Sequence, residues 1–385
     1  MKCCVNVDWV ELYCRFDSLL FRDKYGSPHA SDLHGFGVVL RPYGTRVYKC
    51  VSSISYHGIP FAILCYHPLS SQDAGGIMNP LMCHLKLENY WCYNDTWYEV
   101  LQHALRVFRI NPVRLSRVDI CCDVQNFRNG IYAGDLCRGL IARKYYKIHQ
   151  SSWAAHGEDS DKMSWHSLGF GSKQSPVYTR FYNKSLELRQ VKDKQYIREI
   201  WQLYEFNLER DVWRIEFSLT DTGTQIAVPK THFVYDIPLD DLASRERLMI
   251  RFLQYAQHYW DIRKNTCENR YRCERLDLLP ESVLPFFPYQ RPKLGAMNRT
   301  DRMIIERLLT TAATLPNRGE RMAMLESIKL YQSSKRVEVF DERQLDAISV
   351  WLYNLETDDV DDERQLRIFE KVPAQLRERP LFVDL

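Results

Sequence analysis

The sequence predicts an α+β fold, a mainly antiparallel sheet with helices on one face, followed by a C-terminal helical region. Three segments carry this prediction, 117–124, 177–184 and 213–219, because polar and apolar residues alternate along each of them. One side of each segment is apolar and the other is polar, which is typical of strands whose apolar face packs on helices. The helical spacing of apolar residues in 97–108 supplies one such helix.

The remaining elements follow in chain order. Strands are predicted for 5–14, 35–40, 46–56, 60–67 and 81–87, ahead of the helix at 97–108. Helices are predicted for 133–146, 192–206 and 236–263, and again for 300–313, 318–333, 341–355 and 363–369. The segment 150–162 is polar and is predicted to be a mobile connection. A strand-rich half followed by alternating strands and helices fits the α+β class.

The segment 177–187 holds the densest set of reactive side chains. Read as a strand, it places Tyr178, Arg180, Tyr182 and Lys184 on one face. Two phenols and two cations make a poor core face, but they can hold a phosphate and attack it. The alternative is a solvated strand face with structural tyrosines, since the chain contains 23 tyrosines.

Carboxylates lie on the polar sides of the two companion strands. Asp119 and Asp123 share one side of the first, and Glu216 lies on the polar side of the second. Oxygen ligands of this kind suit Mg²⁺ or Mn²⁺ rather than zinc, so the three residues are candidate metal ligands. The alternative is that Asp119 and Asp123 form ion pairs with Arg117 and Arg214 across strands.

A turn precedes the tyrosine strand at 170–175. It combines a glycine with Ser172, Lys173 and Ser175. Backbone amides and hydroxyls in such a turn can bind phosphate. By itself a Gly-Ser turn is a weak signal, and its position just before Tyr182 gives it weight.

These residues together resemble a known family. The pattern Gly-Ser-Lys-x-Ser, followed by Arg-x-Tyr-Asn-Lys-x-x-Glu within 170–187, resembles the signature of the Rep_trans family. That family comprises rolling-circle replication initiators of plasmids and filamentous phages and related transfer relaxases. The segments 7–12, 117–123 and 213–217 are similar to its flanking strands and stand in the same order, so the resemblance covers about residues 5–260.

The resemblance implies a DNA-nicking and -joining enzyme that initiates rolling-circle replication at an origin. Tyr182 would be the nucleophile, forming a 5′-phosphotyrosine, with Tyr178 as its rival. Arg180 and Lys184 would clamp the phosphate. The sequence contains no His-x-His pair, so carboxylates would have to supply any Mg²⁺ or Mn²⁺ site. The residues expected to contact DNA are Ser172, Lys173, Ser175, Arg117 and Arg214.

Two other functions remain open for the same scaffold. One is a relaxase that starts conjugative transfer, and the other is a non-catalytic DNA-binding regulator of replication. Expected partners are origin DNA, as duplex and as exposed single strand, and a host helicase or polymerase. A homodimer is a further expectation.

Composition limits the class of protein. The net charge of the 385-residue chain is only +3, so any cations that bind DNA must be gathered locally. The 12 cysteines form no paired Cys-x-x-Cys units, which favours reduced thiols in the cytosol over zinc or disulfide frameworks. No apolar run reaches membrane-spanning length. We therefore expect a cytoplasmic protein without a membrane partner.

The chain is predicted to have two structured parts. The boundaries are a catalytic nicking domain at 1–263, a linker at 264–296 with four prolines, and a helical accessory region at 297–385. Arginines and lysines on the predicted helices of the last region would supply phosphate contacts for recognition of duplex origin DNA.

Overall fold

The computed structural model describes residues 1–24, 33–69, 80–150, 152–158, 164–190, 194–228, 234–282, 285–290, 299–335 and 342–354. Strands are β1 Cys3–Phe16, β2 Phe36–Leu40, β3 Tyr48–Tyr56, β4 Ile59–Pro68, β5 Met82–Leu87, β6 Ile110–Val124, β7 Tyr145–Lys147, β8 Trp153–Glu158, β9 Ser164–Phe170, β10 Val177–Asn183, β11 Trp213–Thr220, β12 Gln225–Ala227, β13 Val234–Asp236 and β14 Ile262–Lys264. Helices are α1 Leu19–Lys24, α2 Asn89–Cys92, α3 Trp97–Val107, α4 Ala133–Ile141, α5 Lys184–Gln190, α6 Gln195–Leu203, α7 Leu239–Ala243, α8 Arg245–Tyr259, α9 Arg299–Thr314, α10 Arg318–Lys335 and α11 Glu342–Asn354.

Ten strands form one antiparallel sheet in the described part of the chain. Their order is β2-β3-β4-β5-β1-β6-β11-β10-β9-β8. The long strands β1 and β6 lie side by side near the middle, and β11 joins β6 to β10. The predicted α+β class is confirmed.

One face of this sheet is the main hydrophobic core. Val118, Ile120 and Val124 of β6 are buried there with Ile215 and Phe217 of β11, as their alternation predicts. Helices α3, α4, α6 and α8 contribute buried residues to the same core. The opposite sides of β6, β10 and β11 therefore carry the polar residues that the sequence singles out.

Two predicted helices differ in extent from those observed. The helix predicted for 133–146 ends at Ile141, because Arg143 adopts a left-handed backbone with φ 56° and the chain then enters β7. The helix predicted for 236–263 is interrupted at Ser244, whose extended backbone and hydroxyl cap the start of α8. The segment 153–158, predicted to be a mobile connection, forms β8. The helix predicted for 363–369 lies outside the described residues.

Much of the segment predicted as a linker packs on the sheet unit. Leu276, Leu278 and Tyr289 belong to the main core, and the Tyr289 ring stacks on Tyr255 with centroids 4.4 Å apart. The Tyr289 amide also donates to the carbonyl of Gln254 at 2.9 Å. The reason is that apolar residues before and among the prolines are buried, so proline content alone does not mark a free linker here. The domain boundaries stay a prediction.

Helices α9, α10 and α11 share a separate apolar cluster. Its buried members include Ile305, Leu309, Leu325 and Ile348. Some cations expected to reach DNA from these helices are already engaged: Arg321 is only 4% exposed, and Lys329 pairs with Glu326 at 2.6 Å. Among the described residues no helix combines the length and apolarity needed to cross a bilayer.

Candidate functional site

Tyr182 lies on β10 with Glu216 of β11 as its hydrogen-bond acceptor. The phenol donates to Glu216 Oε2 at 2.9 Å. Arg180 lies directly opposite Glu216 in the ladder and donates to Glu216 Oε1 from Nε at 3.0 Å and from Nη2 at 2.5 Å. The period of two predicted that Arg180 and Tyr182 share a face, and the strand pairing places one carboxylate between them.

Lys184 completes this group from the start of α5. Its ammonium lies 3.5 Å from the Tyr182 hydroxyl oxygen and also pairs with Glu187, one helical turn further on. The Arg180 guanidinium lies 4.7 Å from the centre of the Tyr182 ring. The fold thus brings together a phenol, the carboxylate that accepts its hydrogen bond, and two cations. We refer to Arg180, Tyr182, Lys184 and Glu216 as the tyrosine site.

The Tyr182 side chain is buried and has little contact with solvent in this structure. Tyr182 is 5% exposed, whereas the Arg180 side chain is 37% exposed. Burial raises the pKa of Tyr182 well above its ordinary value, and the negative charge of Glu216 raises it further. The tyrosine site therefore holds a neutral phenol, and a DNA phosphate reaches its oxygen only if neighbouring side chains move.

Asp119 lies on β6 beside the tyrosine site. Arg117 donates to its two oxygens at 3.0 and 2.6 Å, and the Asp119 side chain is only 4% exposed. Burial raises the pKa of Asp119 from 3.8 to about 6, and the nearby charge of Glu216 contributes to the same effect. Asp119 and Glu216 are thus neighbouring buried carboxylates, and the raised pKa of Asp119 reflects a charge that Arg117 compensates only in part.

Asp123 is held away from that pair by a buried ion-pair network. Arg214 donates to Asp123 Oδ1 from Nε at 2.6 Å and to Oδ2 from Nη2 at 2.8 Å. Its Nη1 donates to Asp8 of β1 at 2.7 Å, and the indole of Trp201 donates to Asp123 at 2.8 Å. Both Arg214 and Asp123 are fully buried.

This network corrects two sequence-based assignments. Arg214 cannot contact DNA from a position with no exposed surface, because its donors are directed at two buried carboxylates. Asp123 has both oxygens engaged by the same guanidinium, as the ion-pair alternative describes. We therefore include neither residue in the candidate site.

A metal ion would have to use Asp119 and Glu216. The described residues contain no group of three or more histidine, cysteine or acidic side chains that is suited to a metal ion. Mg²⁺ is nevertheless often held by one or two carboxylates together with water and substrate phosphate. Two adjacent buried carboxylates, one with a raised pKa, fit that smaller donor set. The Mg²⁺ or Mn²⁺ assignment stays a prediction.

The rival tyrosine and the turn lie along the same strand. Tyr178 is partly exposed, and its hydroxyl lies so close to Gly169 of β9 that a side chain there would collide with it. In the turn, Ser172 and Lys173 are exposed, while the Ser175 hydroxyl donates to carbonyls of the turn and of Val177. Ser172 and Lys173 are thus accessible to a phosphate, and Ser175 shapes the turn.

Two residues that contact these groups, Asp8 and Glu187, were not assigned a role from the sequence. Asp8 lies on a β1 bulge and accepts from Arg214 and from the phenol of Tyr93. The sequence indicated only that Asp8 belongs to the opening strand. A bulge interrupts the alternation there, so the pattern does not tell which face of the sheet Asp8 occupies. Glu187 forms an ion pair with Lys184. The two residues are three positions apart on a helix, and this spacing could have predicted the pair.

Replacing Asp119 with asparagine is expected to stabilise the metal-free protein at neutral pH. The folded state keeps a proton on Asp119 up to about pH 6, whereas the unfolded state releases it near pH 4. Stability is therefore lost as pH rises through that window, by roughly 3 kcal/mol at pH 7. Asp119→Asn should remove this loss and leave stability below pH 4 unchanged.

Urea unfolding in EDTA at about pH 3.8, 5.5 and 7.5 measures this difference. Asp135→Asn is the matched control, because that carboxylate is 57% exposed and should change stability by less than about 0.5 kcal/mol at any pH. Equal effects of Asp119→Asn at all three pH values would contradict the raised pKa.

Among solved structures, this chain is similar to the "Rolling Circle Replication Initiator Protein from Geobacillus stearothermophilus", with 16% sequence identity and a TM-score of 0.41. The similarity covers 71% of this chain and 92% of that chain. No family model matches this sequence, and no curated protein matches it.

Proposed function

We propose that this protein cuts and rejoins one strand of DNA at an origin of rolling-circle replication, with Tyr182 as the nucleophile. The observation that carries the proposal is the contact of the Tyr182 phenol with Glu216, flanked by Arg180 and Lys184. The resemblance of 170–187 to initiator and relaxase signatures supports DNA as the substrate of the tyrosine site. Either initiation or transfer would use the same chemistry.

In the proposed reaction Tyr182 attacks a DNA phosphorus atom. The bond from phosphorus to the 3′ oxygen breaks as the bond to the phenol oxygen forms. Glu216 takes the phenol proton, water protonates the leaving 3′ oxygen, and the 5′ end stays attached as a phosphotyrosine. Rejoining reverses these steps without an energy source, because one phosphate diester is exchanged for another.

The cations of the tyrosine site have separate tasks in this reaction. Lys184, 3.5 Å from the phenol oxygen, favours the phenolate that develops there. Arg180 is the partly exposed cation of the group and can exchange a contact with Glu216 for one with DNA phosphate. Such a shift also uncovers Tyr182, which is otherwise closed.

We further propose that Asp119 and Glu216 hold a Mg²⁺ or Mn²⁺ ion together with the scissile phosphate. When bound, the ion would polarise that phosphate. It would also offset the negative charge of Glu216, which together with burial raises the pKa of Asp119. Mn²⁺ should then raise the unfolding temperature of the wild-type protein and raise that of Asp119→Asn much less. Equal increases of the unfolding temperature in both proteins would contradict metal binding by Asp119 and Glu216.

The nicking assay uses supercoiled plasmid that carries the coding sequence of this chain with its flanking DNA. Full-length protein and Mn²⁺ should yield open circles with protein on the 5′ end and a 3′ hydroxyl that a polymerase extends. Excess EDTA should abolish the product. Full activity in EDTA would remove the metal proposal and leave the tyrosine chemistry intact.

The second candidate is a DNA-binding regulator without catalysis. It is favoured by the 5% exposure of Tyr182 and by the raised pKa of its phenol, since an unused tyrosine can be buried as a structural residue. A protein that binds the plasmid but forms no open circle with either Mg²⁺ or Mn²⁺ would support this candidate over the first.

A further inference from the structure

A second cluster of cations and aromatic rings lies at the other side of β9 and β10. It surrounds a cavity of about 240 Å³ between α4, β7 and the edge strand β8. Its walls include Arg143, Lys147, Arg270, Tyr146, Trp153 and Phe170. We call this cavity the Lys147 pocket. It is distinct from the tyrosine site, because Phe170 packs on the core side of the sheet against Trp260.

Lys147 gives the pocket a buried positive charge. The residue is 9% exposed, and its ammonium donates to the carbonyl of His149 at 2.6 Å and to the side-chain oxygen of Gln150 at 3.0 Å. Both acceptors are neutral. The ammonium also lies 4.8 Å from the centre of the Phe170 ring. An ammonium has three N–H groups, so the two hydrogen bonds leave one that a phosphate oxygen can accept.

Asp261, the acidic residue whose charge acts on Lys147, does not neutralise it. Asp261 directs its carboxylate to Arg263 at 3.1 and 2.9 Å and to Arg275 at 3.4 Å. Within the described part of the chain no carboxylate lies within ion-pair distance of Lys147. Burial lowers the pKa of Lys147 from 10.5 to about 7, which reflects a charge without enough compensation. A bound anion would supply the missing partner.

The rim of the pocket adds more positive charge and an exposed ring. Arg143 and Arg270 are exposed, and the Arg270 guanidinium lies 4.3 Å from the centre of the Tyr146 ring. The Trp153 side chain is 45% exposed at the edge strand. No carboxylate is among the described residues that line the pocket. Cations beside a free aromatic face are the combination by which proteins bind unpaired nucleic acid strands.

We propose that the Lys147 pocket binds one nucleotide of a single DNA strand, with its phosphate at Lys147 and its base stacked on Trp153. A volume of about 240 Å³ is smaller than sites for whole drug-sized ligands, which start at about 300 Å³. The pocket therefore takes one unit of a strand whose remainder lies outside.

The pocket is also connected to the strand that bears Tyr182. The Gln150 side chain accepts from Lys147 and from the Thr179 hydroxyl at 2.7 Å, and it donates to the carbonyl of Val177 at 2.8 Å. A strand held here would lie behind β10, near the sheet edge at β8. The choice of DNA as the polymer rests on the proposed function, but the pocket's affinity for a strand does not require nicking.

Binding of fluorescein-labelled oligo(dT) of about 12 nucleotides to the full-length protein, in EDTA so that no cleavage occurs, tests the proposal. Trp153→Ala should weaken binding roughly tenfold or more, because base stacking on an exposed ring is lost. Lys147→Met keeps the length and burial of the side chain, and it should weaken binding about fivefold. The affinity should also fall less steeply with salt concentration than in the wild type, because one phosphate contact is lost. Inorganic phosphate and dTMP should compete only at far higher concentrations than unlabelled oligo(dT).

Tyr43→Ala and Lys49→Ala are the matched controls, since both residues are exposed and lie far from the pocket in the sheet order. Neither should change the affinity more than about twofold. Cross-linking with 5-iodouracil in the oligonucleotide should label the tryptic peptide 148–162, which contains Trp153.

Unchanged affinity in both pocket variants would overturn the proposal. So would a cross-link confined to other peptides, or competition by phosphate as effective as that by oligo(dT), which would identify an anion site only. A protein that binds oligo(dT) through Trp153 but never nicks plasmid DNA would retain the pocket and reject the proposed nicking function.

Discussion

Tyr182→Phe is expected to abolish formation of the covalent protein–DNA adduct, a loss on the order of a thousandfold or more. Phenylalanine removes the only atom that attacks phosphorus in the proposed reaction. It keeps the ring, which lies 4.7 Å from the Arg180 guanidinium, and loses one hydrogen bond to Glu216. The fold and DNA affinity should therefore persist. The measurement is the fraction of plasmid that carries protein after denaturation in detergent.

Tyr178→Phe is the matched control for that loss. The two tyrosines share a strand face, but Tyr178 makes no hydrogen bond to Glu216 or Lys184 and lies over Gly169 instead. Its variant should keep adduct formation within about threefold of wild type. The opposite result, with an active Tyr182→Phe and an inactive Tyr178→Phe, would transfer the nucleophile to Tyr178.

Arg214→Met is expected to destabilise the sheet unit by about 3–5 kcal/mol. The substitution leaves Asp8 and Asp123 buried without the guanidinium that donates to both. Burial works to raise the pKa of Asp8, but Arg214 and Lys184 hold that pKa well below its ordinary value. This contribution to stability is present above the unfolded-state pKa of about 4 and is lost in acid. The difference from wild type should accordingly narrow below about pH 3.

Urea unfolding at neutral pH measures the effect of Arg214→Met. Arg189→Met is the matched control, because its ion pair with Asp211 at 3.1 Å is half-exposed and such pairs contribute less than about 1 kcal/mol. A loss in Arg214→Met no larger than that of the control would contradict the buried network. It would then also reopen the assignment of Arg214 to a DNA surface.

The sequence predicts which face of the sheet a residue occupies better than it predicts which side chains that residue contacts. Alternation along 117–124 and 213–219 places Asp119 and Glu216 on the side of Tyr182, because a period of two fixes which side each residue occupies. It does not tell whether a polar residue there is open to solvent. Arg214 and Glu216 alternate alike and are both buried, but Glu216 contacts Tyr182, whereas Arg214 is bound by Asp8 of β1 and by Asp123 of β6.

Other differences have local causes that apolar periodicity does not report. The apolar spacing of 236–263 continues across Ser244, where a cap separates α7 from α8. Tyr289 lies among prolines, but its ring stacks on Tyr255 in the core. The Lys147 pocket was also not predicted, because β7 pairs with β14, more than a hundred residues away along the chain, and this pairing sets the position of Lys147.

The most direct measurement of the central claim is the mass of the tryptic peptide that retains nucleotide after plasmid cleavage and nuclease digestion. Trypsin cuts after Lys173, Arg180 and Lys184, so the two candidate tyrosines separate into different peptides. The account predicts the nucleotide mass on 181–184, at Tyr182. Nucleotide on 174–180, or on neither peptide when the plasmid has been nicked, would contradict Tyr182 as the residue that attacks DNA.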